Sequence, residues 1–178
     1  MLTGKKIRLR DRKLSDARES YAWQTDPELA HLDASPVLTV PFVQYLTSYQ
    51  HEIDYPTTTR QQFAVETRDG KYIGYCSYYG IHESTGAAEL GIMIGNRDYW
   101  NKGYGTDAVA TLLNYIFQET KLSRVHLKTL ATNYRAQRSF QKCGFAPYDR
   151  VNRDGYDFIL MEIHRKDWAK KQLEPGEV

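Results

Sequence analysis

Residues 102–108 read Lys-Gly-Tyr-Gly-Thr-Asp-Ala. Two glycines around one tyrosine leave the main-chain amides bare, a lysine stands at their rim, and a helical pattern begins directly after them. A helix start carries unpaired N–H groups and partial positive charge, and phosphate groups bind there. Glycine admits them because no Cβ blocks the approach. Gly103, Tyr104, Gly105 and Thr106 therefore read as a pyrophosphate cradle, with Lys102 adding charge at its rim. A tight strand-to-helix turn without a ligand accounts for the glycines equally well.

A second group with chemistry precedes the loop. In residues 88–95, Ala-Glu-Leu-Gly-Ile-Met-Ile-Gly, strand alternation puts Glu89, Gly91, Met93 and Gly95 on one face and Leu90, Ile92 and Ile94 on the other. A carboxylate on a half-buried face is costly unless paired or used. A cross-strand ion pair or a solvent-facing glutamate would satisfy it as well as a catalytic role.

Two phosphate-binding designs can be weighed against these residues. Residues 103–108 match G-x-G-x-x-A, the dinucleotide fingerprint. There the first glycine follows its strand directly, whereas here seven residues, NRDYWNK, intervene after Gly95. The acidic residue expected about 20 positions on, at the end of the next strand, is absent from LKTLATN. The P-loop pattern does not occur. Cys76 and Cys143 are far apart and show no C-x-x-C spacing, which argues against a disulfide framework or a zinc site. No histidine pair shows H-x-x-x-H spacing, so packing or surface roles are expected for the histidines, and no metal.

Around these groups the chain reads as ordinary globular protein. Of 178 residues, 41% are hydrophobic and 26% charged, enough for one domain with a core. The net charge of +2, from 24 basic and 22 acidic side chains, gives no electrostatic case for a nucleic-acid or membrane partner. The start lacks the apolar stretch of a signal peptide, and no apolar run approaches the roughly 20 residues of a membrane span. A cytoplasmic, reducing setting is the default expectation.

The elements that must position the loop follow from periodicity. Residues 6–11 alternate as a short strand. Ser15 is placed to cap the next helix, Asp26 with Pro27 starts another, and Thr39 with Pro41 a third. Phe42, Tyr45, Leu46, Tyr49 and Ile53 then fall on one helical face. Residues 61–67, 71–82 and 87–95 read as an antiparallel meander separated by RDG and ESTG turns. Helical period returns over 106–120 with Ala108, Val109, Leu112, Leu113, Ile116 and Phe117 as the apolar stripe. Residues 123–132 form a strand, Asn133 caps a helix that Gly144 closes, and two strands split by NRDG follow. The tail EPGEV should be loose. This order predicts an α+β fold, one domain over 1–178, with a mixed sheet of about seven strands flanked by helices, because the strand–helix–strand crossing near 95–132 favours parallel neighbours.

The segment ELGIMIGNRDYWNKGYGTDAV resembles the core motif of the GNAT superfamily of acetyl-CoA-dependent N-acetyltransferases, [QR]-x-x-G-x-[GA] after a strand and before a helix. TNYRAQRSFQKCGF is similar to that family's later Asn-capped helix ending in G-F, and the strand order matches over nearly the whole chain. Within the superfamily, W-x-K-G-Y-[AG]-T-[ED]-A resembles the branch of bacterial ribosomal-protein N-terminal acetyltransferases and spermidine acetyltransferases. The resemblance implies a splayed sheet in which main-chain groups of Ile92, Met93 and Ile94 pair with the pantetheine arm. It implies that amides from Asn101 through Thr106 hold the pyrophosphate, that the Asn133 side chain contacts acetyl-CoA, and that Glu89 is the general base through a water. Amides freed by a bulge would stabilise a developing oxyanion. An amine would then attack the thioester directly, without a covalent enzyme intermediate, in a monomer or homodimer.

Two positions depart from the pattern. Trp100 stands at the [QR] position, as its branch tolerates. The later helix carries Phe140 where many members have a tyrosine to protonate the leaving thiolate, and Ala136 where some have a serine. Water can serve there, since a thiol of pKa near roughly 8.5 needs little assistance. Arg135, Arg138 and Lys142 fit a solvated helix face, or the ribose phosphate. The acceptor, a small-molecule amine or a protein N-terminus, would lie against 23–56 and 145–160, with Trp23, His31, Asp33, Tyr72 and Tyr78 as lining. The alternatives are a non-catalytic acyl-CoA-binding or regulatory module on the same fold and, disfavoured by the missing acid, a dinucleotide-binding oxidoreductase.

Overall fold

The computed structural model of the chain describes residues 1–173. Eight strands form one sheet: β1 (Leu2–Thr3), β2 (Ile7–Arg10), β3 (Arg60–Thr67), β4 (Tyr72–His82), β5 (Ala87–Ile94), β6 (Arg124–Leu130), β7 (Ala146–Arg153) and β8 (Tyr156–His164). Their spatial order is β1-β2-β3-β4-β5-β6-β8-β7. The eighth strand beyond the expected set is β1, whose two residues are too short to show any alternation. Every pairing is antiparallel except β5 with β6.

The helices are α1 (Ala17–Gln24), α2 (Pro27–Leu32), α3 (Phe42–Asp54), α4 (Tyr104–Glu119), α5 (Tyr134–Cys143) and α6 (Arg165–Leu173). Helix α4 connects β5 to β6, and all six residues of its expected stripe are buried against β2, β3, β4, β5 and β6. Burying such a stripe, at roughly 1.5–3 kcal/mol per large apolar side chain, is what holds this helix and its glycine-rich N-terminus to the sheet. Helices α1 to α3 lie in sequence between β2 and β3. Tyr72 of β4 bonds Ser20 of α1 at 2.8 Å and stacks on Trp23 at 5.0 Å.

Local chemistry explains the boundaries. Asp26 caps α2, accepting the amides of Glu28 and Leu29 at 3.0 Å each with Pro27 at the first helical position. Asn133 caps α5 through Ala136 N–H, and Gly144 ends it with φ +103°, a conformation open to glycine. Two expected caps do not form. Ser15 lies inside a 3-10 turn (Leu14–Asp16), where Asp16 instead accepts the Lys13 amide at 2.8 Å. Pro41, not Thr39, precedes α3, because proline's fixed φ sets the entry and its ring supplies no donor. Helix α6 was not legible as a helix, since its three apolar residues among nine form no continuous stripe. Trp168 anchors it on Phe117 at 5.5 Å and donates to Asn114 at 2.9 Å. The expected loose tail, 174–178, lies outside the described residues.

Candidate active site

Strands β5 and β6 pair in parallel only from Ala87–Arg124 to Glu89–His126. Past that point β5 stays with β4 through Ile94, and β6 stays with β8 through Leu130. The sheet therefore opens into a V whose apex is the Glu89–His126 pair. Among the described residues, no strand covers the inner edge of β5 between Leu90 and Ile94.

The alternation of the ladder says which main-chain groups face the opening. The Gly95 amide donates to Ile73 O across to β4 at 3.0 Å. Two residues back, the amide and carbonyl of Met93 face β4 in the same way, while those of Ile92 and Ile94 face the open edge. Of the three residues expected to pair with pantetheine, only Ile92 and Ile94 present main-chain groups to the V; Met93 contributes its side of the strand. The Ile94 carbonyl already accepts the Trp100 indole N–H at 2.6 Å. The register from Glu89 to Ile94 is unbroken, and the irregularity in this ladder falls between Tyr79 and His82. The free amides arise from the splay rather than from a bulge in β5.

A cavity of about 390 Å³ fills the mouth of the V. Its wall includes Ile92, Met93 and Ile94 of β5, Asn101, Gly103, Gly105 and Thr106 of the loop and α4, and Asn133, Ala136, Ser139 and Phe140 at α5. The loop turns with positive φ at both Asn101 (+57°) and Gly103 (+83°), a way of aiming consecutive amides into one concavity. The first-turn amides of α4 and α5 have no intrahelical acceptors, and both helix starts border this cavity. A hydrogen bond of 2.8 Å between Thr106 and Ser139 hydroxyls, and Cys143 Sγ to Thr106 O at 3.4 Å, hold the two helices side by side. Burial pushes the Cys143 thiol up to about 11, so it is a poor nucleophile.

Two loop residues turn outward. Lys102 Nζ donates to Asp98 O at 2.7 Å, and the Tyr104 ring packs edge-on against Tyr99 at 4.9 Å; neither side chain lines the cavity. Asp107 also turns away, taking the amides of Lys5, Lys6 and Ile7 at 3.1, 2.7 and 3.1 Å. That carboxylate ties α4 to the start of β2 and keeps its own negative charge turned away from the cradle.

Glu89 is half-buried at the apex, outside the lining of the cavity proper. Lys128 Nζ lies 3.6 Å from its Oε1. Tyr79 pairs with it in register from β4, and burial followed by the Glu89 charge raises the Tyr79 phenol above its usual range. His126 is its partner on β6. Burial and then the Arg124 guanidinium hold that imidazole below its ordinary value, with Glu89 opposing them, so it is neutral at physiological pH. His126 was not singled out in the sequence, because pairing between β5 and β6 across a helix leaves no local signal.

The acceptor-side residues divide. Asp33 lines the cavity. Solvent reaches it through the opening while protein surrounds it elsewhere, and that enclosure raises its carboxyl to about 6 against the influence of Ser35, Arg60 and Lys128. His31 approaches Tyr156 at 6.3 Å, bringing the end of α2 to the last hairpin. Trp23 packs so closely over Gly95 that any Cβ there would overlap its indole. Tyr78 does not line the acceptor side: it is 4% exposed in the core beside Tyr115 of α4, because alternation puts Tyr79, not Tyr78, on the face of Glu89.

Residues 6–146 match the acetyltransferase (GNAT) domain family. The chain is 23% identical over 171 residues to the uncharacterized N-acetyltransferase p20 of Bacillus licheniformis, covering 92% of this chain and 96% of that relative. A putative ribosomal N-acetyltransferase, YdaF, of Bacillus subtilis is 25% identical over 107 residues, 56% of this chain and 57% of that one. In fold the chain is similar to the spermidine N-acetyltransferase of Vibrio cholerae, solved with CoA and spermine (TM-score 0.81, 20% identity, 92% and 98% of the two chains). It is also similar to the aminoglycoside acetyltransferase AAC(6')-Ib with ribostamycin and CoA (TM-score 0.77, 18% identity, 94% and 98%).

Proposed function

Because this chain belongs to the GNAT acetyltransferase family, we propose that it moves the acetyl group of acetyl-CoA onto a primary amine by direct attack in a ternary complex. The observation that supports this most is the V in the sheet: an unpaired β5 edge at Ile92 and Ile94 faces a cavity into which two helix N-termini open. Those residues fit the cofactor. An extended arm can add to the β5 edge as a strand would, and the amides of 101–106 can take the pyrophosphate, Lys102 and Tyr104 through the main chain alone. Asn133 borders the same cavity while capping α5. Bound acetyl-CoA supplies an activated acyl thioester.

The chain's own part is to hold the acceptor and move its proton. An amine arrives mostly as ammonium and must lose a proton before it attacks. Glu89, at the apex and on the face of α1 to α3, takes that proton directly or through one water. A second reading has one observation behind it. His126 stands in register with Glu89 and is kept neutral, so the imidazole would accept the proton while Glu89 orients it.

Strands β7 and β8 extend past the family match yet β8 lies between β6 and β7 in the same sheet, which supports a single domain over the whole chain. The acceptor is a small-molecule amine or a protein N-terminus, met in the cytoplasm where acetyl-CoA is available. The relatives point both ways, to spermine and ribostamycin in two structures and to the word ribosomal in the name of YdaF. An acceptor screen with acetyl-CoA, reading out free thiol and the mass of the product, tests the proposal. Release of thiol with no amine in a broad panel gaining an acetyl group would oppose it.

A further inference from the structure

The carboxylate at the apex of the V already holds a primary amine. Lys128 stands on β6 just past the Glu89–His126 pair and shares their face by alternation. Its Nζ reaches back to β5 and lies 3.6 Å from Glu89 Oε1. Every other ion pair among the described residues uses arginine or histidine. The next acid on this face, Glu162 of β8, is taken by Arg124 at 2.5 Å. Phe158 flanks the ammonium, its ring centroid 5.8 Å from Nζ. The Lys128 side chain is 40% exposed and that of Glu89 22%, so the pair adds little to stability and the four-carbon stem is free to swing. What the pair does is keep an amine beside the group that would deprotonate an acceptor.

We propose that Lys128 is a site of self-acetylation, modified by the chain that carries it. The inference rests on the proposed use of the V for acetyl-CoA and of Glu89 as the base. The open β5 edge runs from the glycine loop past Ile94 and Ile92 toward the apex, and the amine met there is that of Lys128. Lys102 is turned outward onto Asp98 O, and Lys142 lies in the last turn of α5. In the reaction, Lys128 Nζ gives a proton to Glu89, its freed lone pair forms the bond to the acetyl carbon, and the carbon–sulfur bond of the thioester breaks. Of the three ammonium hydrogens, one stays on the amide, one reaches the leaving sulfur through water, and one passes from Glu89 to solvent. A tethered amine skips the binding step that an outside acceptor must make. The product amide is uncharged, so the modification also dissolves the ion pair at Glu89.

The experiment incubates the native chain with saturating acetyl-CoA and no added amine, then follows acetyl at each lysine by mass mapping of peptides. Lys13 and Lys121, both exposed, report the background reaction of a surface lysine. Lys128 should be modified faster than either by about tenfold or more. Its first-order rate constant should stay the same when the chain is diluted, because the transfer is within one molecule. Glu89→Gln should slow Lys128 by about 10²–10⁴ and leave Lys13 and Lys121 unchanged, with a melting curve to show that the variant is folded. Lys128→Arg keeps a cation beside Glu89 and should take up acetyl only at the background rate. A native chain that acetylates an added amine yet modifies Lys128 no faster than Lys121 overturns the inference and leaves the acetyl-transfer reading intact. A chain that acetylates neither an added amine nor Lys128 removes both. A rate constant that rises with chain concentration assigns the transfer to a second copy and overturns the self-acetylation.

Discussion

Glu89 and His126 put two proton acceptors side by side at the apex of the V, and their kinetics should tell them apart. If Glu89 is the base, Glu89→Gln keeps its affinity for acetyl-CoA and loses about 10²–10⁴ in turnover. The deficit shrinks as pH rises, because the amine then arrives already deprotonated. His126→Asn should leave that profile largely unchanged. The reverse pattern, with the pH-dependent deficit in His126→Asn, would assign the proton to the imidazole. Asp33 supplies a separate test through stability. Its carboxyl titrates near 6 in the folded chain against an ordinary 3.8, so the folded state binds the extra proton between those values. Stability therefore falls as pH rises through that window, by an amount that solvent screening of this exposed side chain keeps small. Asp33→Asn should melt higher than native at pH 7.5, and the difference should vanish near pH 4; a lower melting point at pH 7.5 would contradict the assignment. These residues also mark how far single positions can be read. The carboxylate and its face follow from alternation within one strand, whereas choosing Tyr79 over Tyr78 needs the β4–β5 register, and finding His126 needs a pairing that spans a whole helix.

The elements were legible where a short-range rule fixes them. Asn133 and Gly144 bound α5, Asp26 and Pro27 start α2, and the apolar stripe of α4 needs only its own spacing. The failures are elements stabilised from outside. Helix α6 depends on Trp168 and on Arg165, which donates to the carbonyls of Phe117, Thr120 and Leu122 at the end of α4, and β1 exists only as a partner of β2. The loop before α4 also separates its two glycines by role. Gly103 has φ +83°, so any side chain there is strained whatever the space around it. Gly105 is helical, and a Cβ would meet only Ile94 Cγ1 at 3.5 Å, an ordinary contact. Gly105→Val is thus the cleaner probe. It should fold with native-like melting and lose most of its affinity for CoA, because the branched side chain enters the cavity beside the first-turn amides. Undiminished affinity by titration would end the reading of this turn as a phosphate cradle.

Across the whole molecule, function follows from a sheet that is continuous at one end and divided at the other. Three pairs of residues hold β5 to β6; beyond them, β4 and β8 carry the two halves apart, and α4 and α5 aim their N-termini into the gap. The α+β order, the meander and the crossover could be read from periodicity, but the splay could not, since it is a missing set of pairings between strands that are both well formed. The most direct test of the account is residue-resolved amide hydrogen exchange by NMR, with and without acetyl-CoA. The account predicts that the Ile94 and Ile92 amides, open to the V, gain protection on adding the ligand, while the Met93 amide, already directed to β4, changes little. Equal behaviour of all three amides, or protection confined to other strands, would contradict the assignment of the V as the acetyl-CoA slot.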